Sequence, residues 1–184
     1  MEDNKNTENR MSHTRRLVTA ALFAALCFGM TMVSVPLPVV GYGNLGDCFV
    51  LLSGWLLGPL WGAAAAGLGT ALADVALGYG LYAPATFVIK ALMAVVAYYT
   101  GLALAGRSVH MGRRVLGHVV AAVCGEIIMI GGYFAYESVL YDVTAAAGSL
   151  VGNSVQALAG IVLSAVLITV IRSSKVLTRL FPKL

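Results

Sequence analysis

The sequence predicts an all-α membrane protein with six transmembrane helices and with the N- and C-termini in the cytoplasm. Apolar residues make up 59% of the 184 residues and charged residues only 11%, whereas about 25% of a soluble domain is charged. Apolar segments also recur along the chain, and most approach the roughly 20 residues that a membrane-spanning helix needs. They occupy about 17–34, 47–57, 60–77, 84–105, 115–136 and 150–171.

The distribution of basic residues predicts the orientation. All but one of the 12 Lys and Arg residues fall in the N-terminal segment, in 107–114 or in the C-terminal tail. Cytoplasmic loops are enriched in Lys and Arg, so we assign these three clusters to the cytoplasm. The same clusters explain the net charge of +4, and we therefore expect no nucleic-acid partner. The predicted localisation is the plasma membrane of a bacterial cell.

The chain begins with a polar segment, 1–14, which we predict to be a disordered cytoplasmic tail. It does not resemble a signal peptide, because no small-residue cleavage site follows the first apolar run. We expect the six-helix domain over 15–174 and a second cytoplasmic tail over 175–184.

The first span carries small residues at helical spacing. Ala20 and Ala24 are four residues apart, and so are Ala21 and Ala25. Small residues at this spacing let two helices approach closely. The alanine face therefore packs either inside the bundle or against a partner protein in the membrane.

The second and third spans are separated by Gly58-Pro59. A single kinked helix over 47–77 would give five spans and would place the basic loop 107–114 outside. Two helices give six spans and place all three basic clusters in the cytoplasm, as the positive-inside rule requires. Gly suits the end of a helix and Pro its first position. We expect the short second helix to begin in the outer interface and to tilt.

The fourth, fifth and sixth spans complete the bundle and leave outer loops at about 35–46, 78–83 and 137–149. These loops contain no Lys or Arg, but they contain several Tyr and acidic residues. Aromatic residues at this level commonly anchor a protein in the membrane interface. Their clustering with acids on one face also fits a binding surface.

Two charged residues lie inside predicted spans. Lys90 is about six residues into the fourth span, roughly 9 Å below the outer surface at the rise of an α-helix. Glu126 lies near the middle of the fifth span. Intramembrane charges usually face the bundle interior and mark a functional site. Lys90 either extends its stem outward to the interface, pairs with Glu126, or lines with Glu126 a polar cavity open to the outside.

Further polar groups occur at a similar depth. Thr86 is one turn above Lys90 on the same face, and Asn153 and Gln156 share a face of the sixth span. Each of them either joins two helices by a hydrogen bond or belongs to a site for a small polar aromatic ligand. The candidate substrate-binding residues are Asn44, Asp47, Tyr79, Tyr82, Thr86, Lys90, Glu126, Tyr133, Glu137, Asn153 and Gln156.

The sequence contains none of the motifs that would indicate catalysis. It has no GxxxxGK[ST], HExxH or GxSxG, and its three cysteines show no CxxC spacing. We therefore expect no catalytic residue, no metal and no cofactor. No convincing inverted repeat of a secondary transporter is found either. A binding subunit that needs a partner fits these observations, and a stand-alone small transporter or channel for a polar solute is the alternative.

The segment 43–94 resembles the substrate-binding S components of energy-coupling factor (ECF) transporters, and most closely the riboflavin-transporter type. The shared features are a Gly-Asp that opens the second helix, a Gly-Pro break, an Asp at the end of a Gly-rich helix, a Gly-Tyr, a Pro and a helical Lys. They correspond to Gly46-Asp47, Gly58-Pro59, Asp74, Gly78-Tyr79, Pro84 and Lys90. The segment 152–160 and the alanines of the first span also fit the family.

The resemblance implies the six-helix S-component fold, with a vitamin or vitamin precursor bound near the outer surface. Riboflavin, pyridoxine-type compounds and hydroxymethylpyrimidine are the substrates assigned to relatives. It also implies two kinds of partner, a transmembrane scaffold subunit and two ATPase subunits that drive uptake. In such a complex Ala20, Ala21, Ala24 and Ala25 would contact the scaffold.

Overall fold

The fold is described by a computed structural model that covers residues 13–36, 42–106 and 110–174. Within these ranges the chain forms six helices and a two-stranded sheet. Residues 1–12 and 175–184, which make up most of the two predicted tails, lie outside the described residues. The elements are α1 (His13–Met32), β1 (Ser34–Pro36), β2 (Tyr42–Asn44), α2 (Asp47–Leu57), α3 (Pro59–Ala76), α4 (Ala83–Leu104), α5 (Met111–Leu140) and α6 (Val143–Ser173).

The prediction of an all-α bundle with six helices is confirmed. In four of the helices the apolar part is long enough to cross a membrane, namely Thr14–Met32, Ala83–Leu104, Met111–Leu140 and Val143–Ser173. Large apolar side chains on their outer faces are exposed, as Leu92 and Ile127 show. Exposed apolar faces of this extent are expected where a helix contacts lipid. On which side of the membrane the termini lie stays a prediction.

The break between α2 and α3 lies at Gly58, as the sequence predicts. Gly58 has φ of 88°, a backbone conformation that glycine adopts without the strain of a Cβ. Its N–H donates to the carbonyl oxygen of Gly54 at 3.0 Å, and Pro59 occupies the first turn of α3. The two short helices therefore fold back on each other rather than forming one long span.

Helix α2 is the central element of the bundle. It packs against α1, α3, α4 and α6, and nearly all of its residues are buried. Its 11 residues extend over only about 16 Å, roughly half of the hydrocarbon thickness of a bilayer. Its first residue, Asp47, is fully buried. Where α2 begins relative to the membrane interface stays a prediction, but its first residue is enclosed by the other helices.

The segment that precedes α2 is a short hairpin, whereas the sequence predicts only a loop there. Strands β1 and β2 are antiparallel, with Ser34 opposite Asn44. The side-chain oxygen of Asn44 accepts a hydrogen bond from the N–H of Gly46 at 2.8 Å. This local turn ends β2 and directs the chain into α2, so that Asn44 and Asp47 lie together at the entrance of the helix.

Candidate functional site

Asp47 is the centre of a buried polar cluster. One oxygen of its carboxylate, Oδ1, forms an ion pair with Nζ of Lys90. The other, Oδ2, accepts a hydrogen bond from Nε2 of Gln156 at 2.6 Å. Helices α4 and α6 thus both direct a polar side chain to the first residue of α2.

The Lys90 ammonium points into the bundle. Lys90 is only 1% exposed, which excludes the interpretation that its side chain extends outward to the membrane interface. Its Nζ lies 5.5 Å from the centroid of the Tyr133 ring, a distance at which the ring face attracts a cation. The prediction of a pair with Glu126 is wrong in its partner, because the buried start of α2 places the Asp47 carboxylate in contact with the ammonium.

Gln156 joins three elements. Its Oε1 accepts hydrogen bonds from the backbone N–H of Asn44 at 2.9 Å and from Nδ2 of the same residue at 3.4 Å. Because its Nε2 donates to Asp47, the amide of Gln156 links β2, α2 and α6. These contacts form the outer wall of the cluster around Lys90.

Glu126 belongs to the same cluster but has a different environment. It is 2% exposed, and neither of its carboxyl oxygens has a hydrogen-bond partner within the part of the chain that the structure describes. Gly160 provides the space for it, because a Cβ at that position would collide with Oε1 of Glu126 and lie 3.0 Å from Cβ of Asp47. A buried polar group without a partner costs free energy, and the Glu126 carboxyl group can accept a hydrogen bond from an additional donor.

A second polar cluster lies closer to the ends of α4 to α6 that face the hairpin. Glu137 accepts hydrogen bonds from the hydroxyl groups of Tyr82, at 3.4 Å, and of Ser149. Asn153 donates through Nδ2 to the Ser149 hydroxyl at 3.4 Å. Burial raises the pKa of the Tyr82 hydroxyl above its usual value, which keeps this group protonated and able to donate.

Aromatic rings connect the two clusters. The rings of Tyr82 and Tyr133 have centroids 6.5 Å apart, and the Tyr79 ring lies 6.3 Å from that of Tyr82. The Tyr133 hydroxyl lies 2.9 Å from Oγ1 of Thr86. Every predicted substrate-binding residue therefore belongs to one of two adjoining groups. The lysine cluster comprises Asn44, Asp47, Thr86, Lys90, Glu126, Tyr133 and Gln156, and the Glu137 cluster comprises Tyr79, Tyr82, Glu137 and Asn153.

Three residues that shape these clusters were not predicted from the sequence. Ser149 lies one turn before Asn153 on the same face of α6, and that spacing was the available signal. Gly160 lies one turn after Gln156, but a glycine in a helix carries no signal of its own. Thr31, at the end of α1, is 1% exposed and its Oγ1 has no partner among the described residues.

The lysine cluster is closed in this structure. Lys90, Asp47 and Glu126 are each no more than 2% exposed. The expectation that Lys90 and Glu126 line a cavity open to the outside therefore does not hold for this conformation, because Asp47 and Gln156 pack directly against the ammonium.

Comparison with known proteins identifies the family. The sequence model of the family described as "ECF-type riboflavin transporter, S component" matches residues 11–173. This chain belongs to that family.

Two further similarities agree with this assignment. A solved structure described as "Structure and mechanism of the S component of a bacterial ECF transporter" superposes with a TM-score of 0.63 and 21% sequence identity, over 88% of this chain and 96% of that chain. At that identity the likeness shows a shared fold. A protein of Pyrococcus woesei described as an uncharacterized protein in gap 3'region is 37% identical over 133 residues, which cover 72% of this chain and 84% of that protein.

As an S component, this chain is a transport-binding subunit in a membrane and not an enzyme. The clusters around Lys90 and Glu137 are its candidate ligand-binding site. Within residues 13–36, 42–106 and 110–174, the structure contains no group of three His, Cys, Asp or Glu side chains placed to hold a metal ion.

The alanine face of this S component divides into two parts. Ala20 is 7% exposed, and Ala24 approaches α3 so closely that a Cβ at Gly69 would collide with its carbonyl oxygen. Ala21 and Ala25 are exposed on the outside of α1. The prediction that Ala20, Ala21, Ala24 and Ala25 bind a partner stays a prediction. Ala21 and Ala25 are accessible to such a partner, whereas Ala20 and Ala24 also pack inside the bundle.

Proposed function

We propose that this S component captures a vitamin or vitamin precursor from the outer side of the cell membrane. The ligand is a small heteroaromatic compound such as riboflavin, a pyridoxine-type compound or a hydroxymethylpyrimidine-type compound. A transmembrane scaffold subunit and two ATPase subunits then drive its uptake. Family membership supports the role, and the chemistry of the lysine cluster supports the class of ligand.

The observation that carries the proposal is the set of buried polar groups around Lys90. A cation, an amide and two carboxyl groups meet beside the Tyr133 ring, and neither oxygen of Glu126 has a hydrogen-bond partner in the described residues. Ring nitrogens and carbonyls of a heteroaromatic compound accept from Lys90 and Gln156, and its N–H or O–H groups donate to Glu126. The tyrosines supply aromatic faces against which a flat ring packs.

Ligand entry requires the lysine cluster to open. The contacts between Asn44 and Gln156 join the hairpin to α6, and they are the outermost of the cluster. We infer that they break when ligand enters and that ligand groups then replace part of the pairing between Asp47, Lys90 and Gln156. Since each broken hydrogen bond is replaced by one to the ligand, the net cost of opening stays small.

The test is mass spectrometry of the small molecules released from the purified protein by denaturation, followed by calorimetric titration of the ligand-free protein with each candidate. A heteroaromatic vitamin or precursor that is released, and that binds again at a ratio of one per chain, supports the proposal. Binding of a purely aliphatic solute, or of none of the three compound classes, contradicts it.

Coupling to ATP hydrolysis requires a separate experiment. A tagged chain expressed with its genomic neighbours is expected to co-purify with a scaffold subunit and two ATPase subunits, and uptake is expected to stop when the ATPases are inactivated. Uptake by this chain alone, in a host that lacks those partners, would instead support the stand-alone transporter.

A further inference from the structure

A polar cavity lies at the end of the bundle opposite the lysine cluster. It has a volume of about 110 Å³, and its walls come from four helices, with Trp55 from α2, Tyr98 from α4, His118 from α5 and Arg172 from α6. This volume holds several water molecules, so it also admits a small polar group. Neither the family assignment nor the proposed function uses this cavity.

The polar wall of the cavity is held in place by specific contacts. Trp55 donates from Nε1 to the carbonyl oxygen of Ala97 at 2.9 Å. The His118 ring packs edge-on against Trp55, with centroids 4.7 Å apart, and its Nδ1 lies 2.8 Å from the carbonyl oxygen of Arg114. These contacts fix two aromatic rings beside the Arg172 guanidinium.

This end of the bundle is positively charged. Arg172 lies in the last turn of α6, and Arg113 and Arg114 lie in the first turn of α5. All carboxylates in the described part of the chain lie in the other half of the bundle. They lie close to Lys90 or at the helix ends near the hairpin. They are Asp47, Asp74, Glu126, Glu137 and Asp142. An anion at this cavity therefore meets positive charge and no acidic side chain of the described residues.

A shallow groove lined by apolar side chains and by backbone continues from the cavity along the end of α4. It has a volume of about 510 Å³ and is lined by Tyr99, Leu102, Ala103 and Gly106. Leu102 and Gly106 line the polar cavity as well, so the two spaces adjoin. Tyr99 is 57% and Leu102 is 52% exposed, on a helix that is long and apolar enough to cross a membrane.

We propose that the cavity and the groove together form a binding site for an anionic phospholipid. The phosphate binds at Arg172, whose planar guanidinium suits two parallel hydrogen bonds to phosphate oxygens. One acyl chain lies in the groove along Leu102 and Ala103. Basic pockets between transmembrane helices are a common kind of site for anionic headgroups, and Trp and Tyr rings are enriched at the same level of the membrane.

The lipid is favoured over free phosphate because of the groove. A free phosphate ion would use only the polar cavity and would leave the adjoining apolar surface without a function. A phospholipid occupies both spaces, because its phosphate fits the cavity and the acyl chain attached to it fits the adjoining groove. This site is independent of the proposed vitamin site, so either proposal can fail without the other.

The test is native mass spectrometry of the full chain, released from nanodiscs that contain equal amounts of phosphatidylglycerol and phosphatidylcholine. We expect one phosphatidylglycerol molecule to be retained at least tenfold more than phosphatidylcholine. Arg172→Gln is expected to abolish this preference. Arg113→Gln is the matched control, because Arg113 is exposed on α5, and it is expected to keep the preference. Equal retention of the two lipids, or the same loss in both variants, would overturn the proposal.

A second variant tests the groove and does not depend on Arg172. Ala103 is exposed on α4, so Ala103→Phe fills the groove from the lipid side without disturbing the core. We expect it to reduce phosphatidylglycerol retention at least fivefold while the melting temperature in lipid-free detergent stays unchanged. Retention equal to that of the unmodified chain contradicts the lipid site. So does stabilisation by inorganic phosphate that equals the stabilisation by phosphatidylglycerol, since the occupant is then the free ion.

Discussion

At the scale of single residues, the pair of Asp47 and Lys90 shows why an intramembrane charge persists. Each group is almost completely buried and compensates the other. Removal of one partner from a buried pair leaves an uncompensated charge, which costs about 3–5 kcal/mol. The pair therefore stabilises the fold in addition to any contact it makes with a ligand, and the two roles have to be separated by experiment.

A double substitution separates them. Lys90→Met alone is expected to lower the free energy of unfolding by about 3–5 kcal/mol, because the Asp47 carboxylate is left buried without its cation. Lys90→Met combined with Asp47→Asn is expected to recover most of that stability, but not ligand binding. Thermal unfolding and calorimetric titration measure the two effects. A double variant that binds ligand normally would show that the pair is only structural.

Glu126 allows the complementary test. Glu126→Gln keeps the size of the side chain and removes a buried ionisable group that has no hydrogen-bond partner in the described residues. We expect an unchanged or raised melting temperature and a ligand affinity lowered about tenfold or more, the effect of a lost hydrogen bond to a charged group. Ile127→Ala, at an exposed position of the same helix, is the control. A loss of stability with normal affinity would assign Glu126 to the fold.

Lys90 and Glu126 also show which features of the site the sequence predicts and which it does not. Intramembrane position alone marks Lys90 and Glu126 as inward-facing, and the structure agrees. The partner of Lys90 could not be predicted from the sequence. Asp47 is 43 residues away along the chain, and it meets Lys90 only because of the level in the bundle at which α2 begins. That level follows from the packing of α2 against its neighbours, and the hydropathy of the sequence does not predict this packing.

At the scale of elements, the hydropathy pattern predicts the presence of each helix more accurately than the residues at which it begins and ends. The predicted segment 47–57 coincides with α2, but the predicted 115–136 and 150–171 are shorter than α5 (Met111–Leu140) and α6 (Val143–Ser173). The apolar pattern detects the most hydrophobic part of a helix, whereas α5 continues beyond it with charged residues and α6 with small and hydroxyl residues. The hairpin was missed because strands of three residues are too short to show an alternating pattern.

Close approach of α2 and α4 gives a prediction at the same scale. A Cβ at Gly54 would lie 3.1 Å from the carbonyl carbon of Ala94 and collide with its oxygen. Gly54→Ala is therefore expected to push the helices apart and to destabilise the protein by about 1–3 kcal/mol. The matched control is Gly131→Ala in α5, where a Cβ meets nothing within 4 Å. This control should be neutral or slightly stabilising. Equal unfolding temperatures for the two variants would contradict this account of the packing.

At the scale of the whole molecule, the two ends of the bundle differ in chemistry. The end near the hairpin contains the lysine cluster, most of the tyrosines and the carboxylates of the described residues. The opposite end contains Arg113, Arg114 and Arg172 and the cavity beside Trp55. This polarity fits a subunit that receives a small polar ligand at one membrane face and is anchored by positive charge at the other. Assembly with a scaffold subunit then has to use the lateral surface of the helices.

The exposed side of α1 is the lateral surface for which the sequence makes a specific prediction. Ala21 and Ala25 are exposed one turn apart, whereas Ala20 is buried. A large side chain at either exposed position prevents the close helix approach that small residues permit, but it leaves the interior of the bundle unchanged. Ala21→Trp and Ala25→Trp are therefore expected to retain full ligand binding and to lose both co-purification of the scaffold and ligand uptake.

The control for these two variants is Leu72→Trp, at a position of α3 that is 58% exposed, which should leave assembly and uptake unchanged. Titration of the isolated subunit and uptake by cells that express the complete complex measure the two activities. Normal uptake by both alanine variants would remove α1 as the docking surface. Loss of ligand binding in them would instead show that the bundle itself is disturbed. Only the combination of retained binding and lost uptake assigns the exposed alanines to assembly, because folding and capture are then intact while transfer to the partner fails.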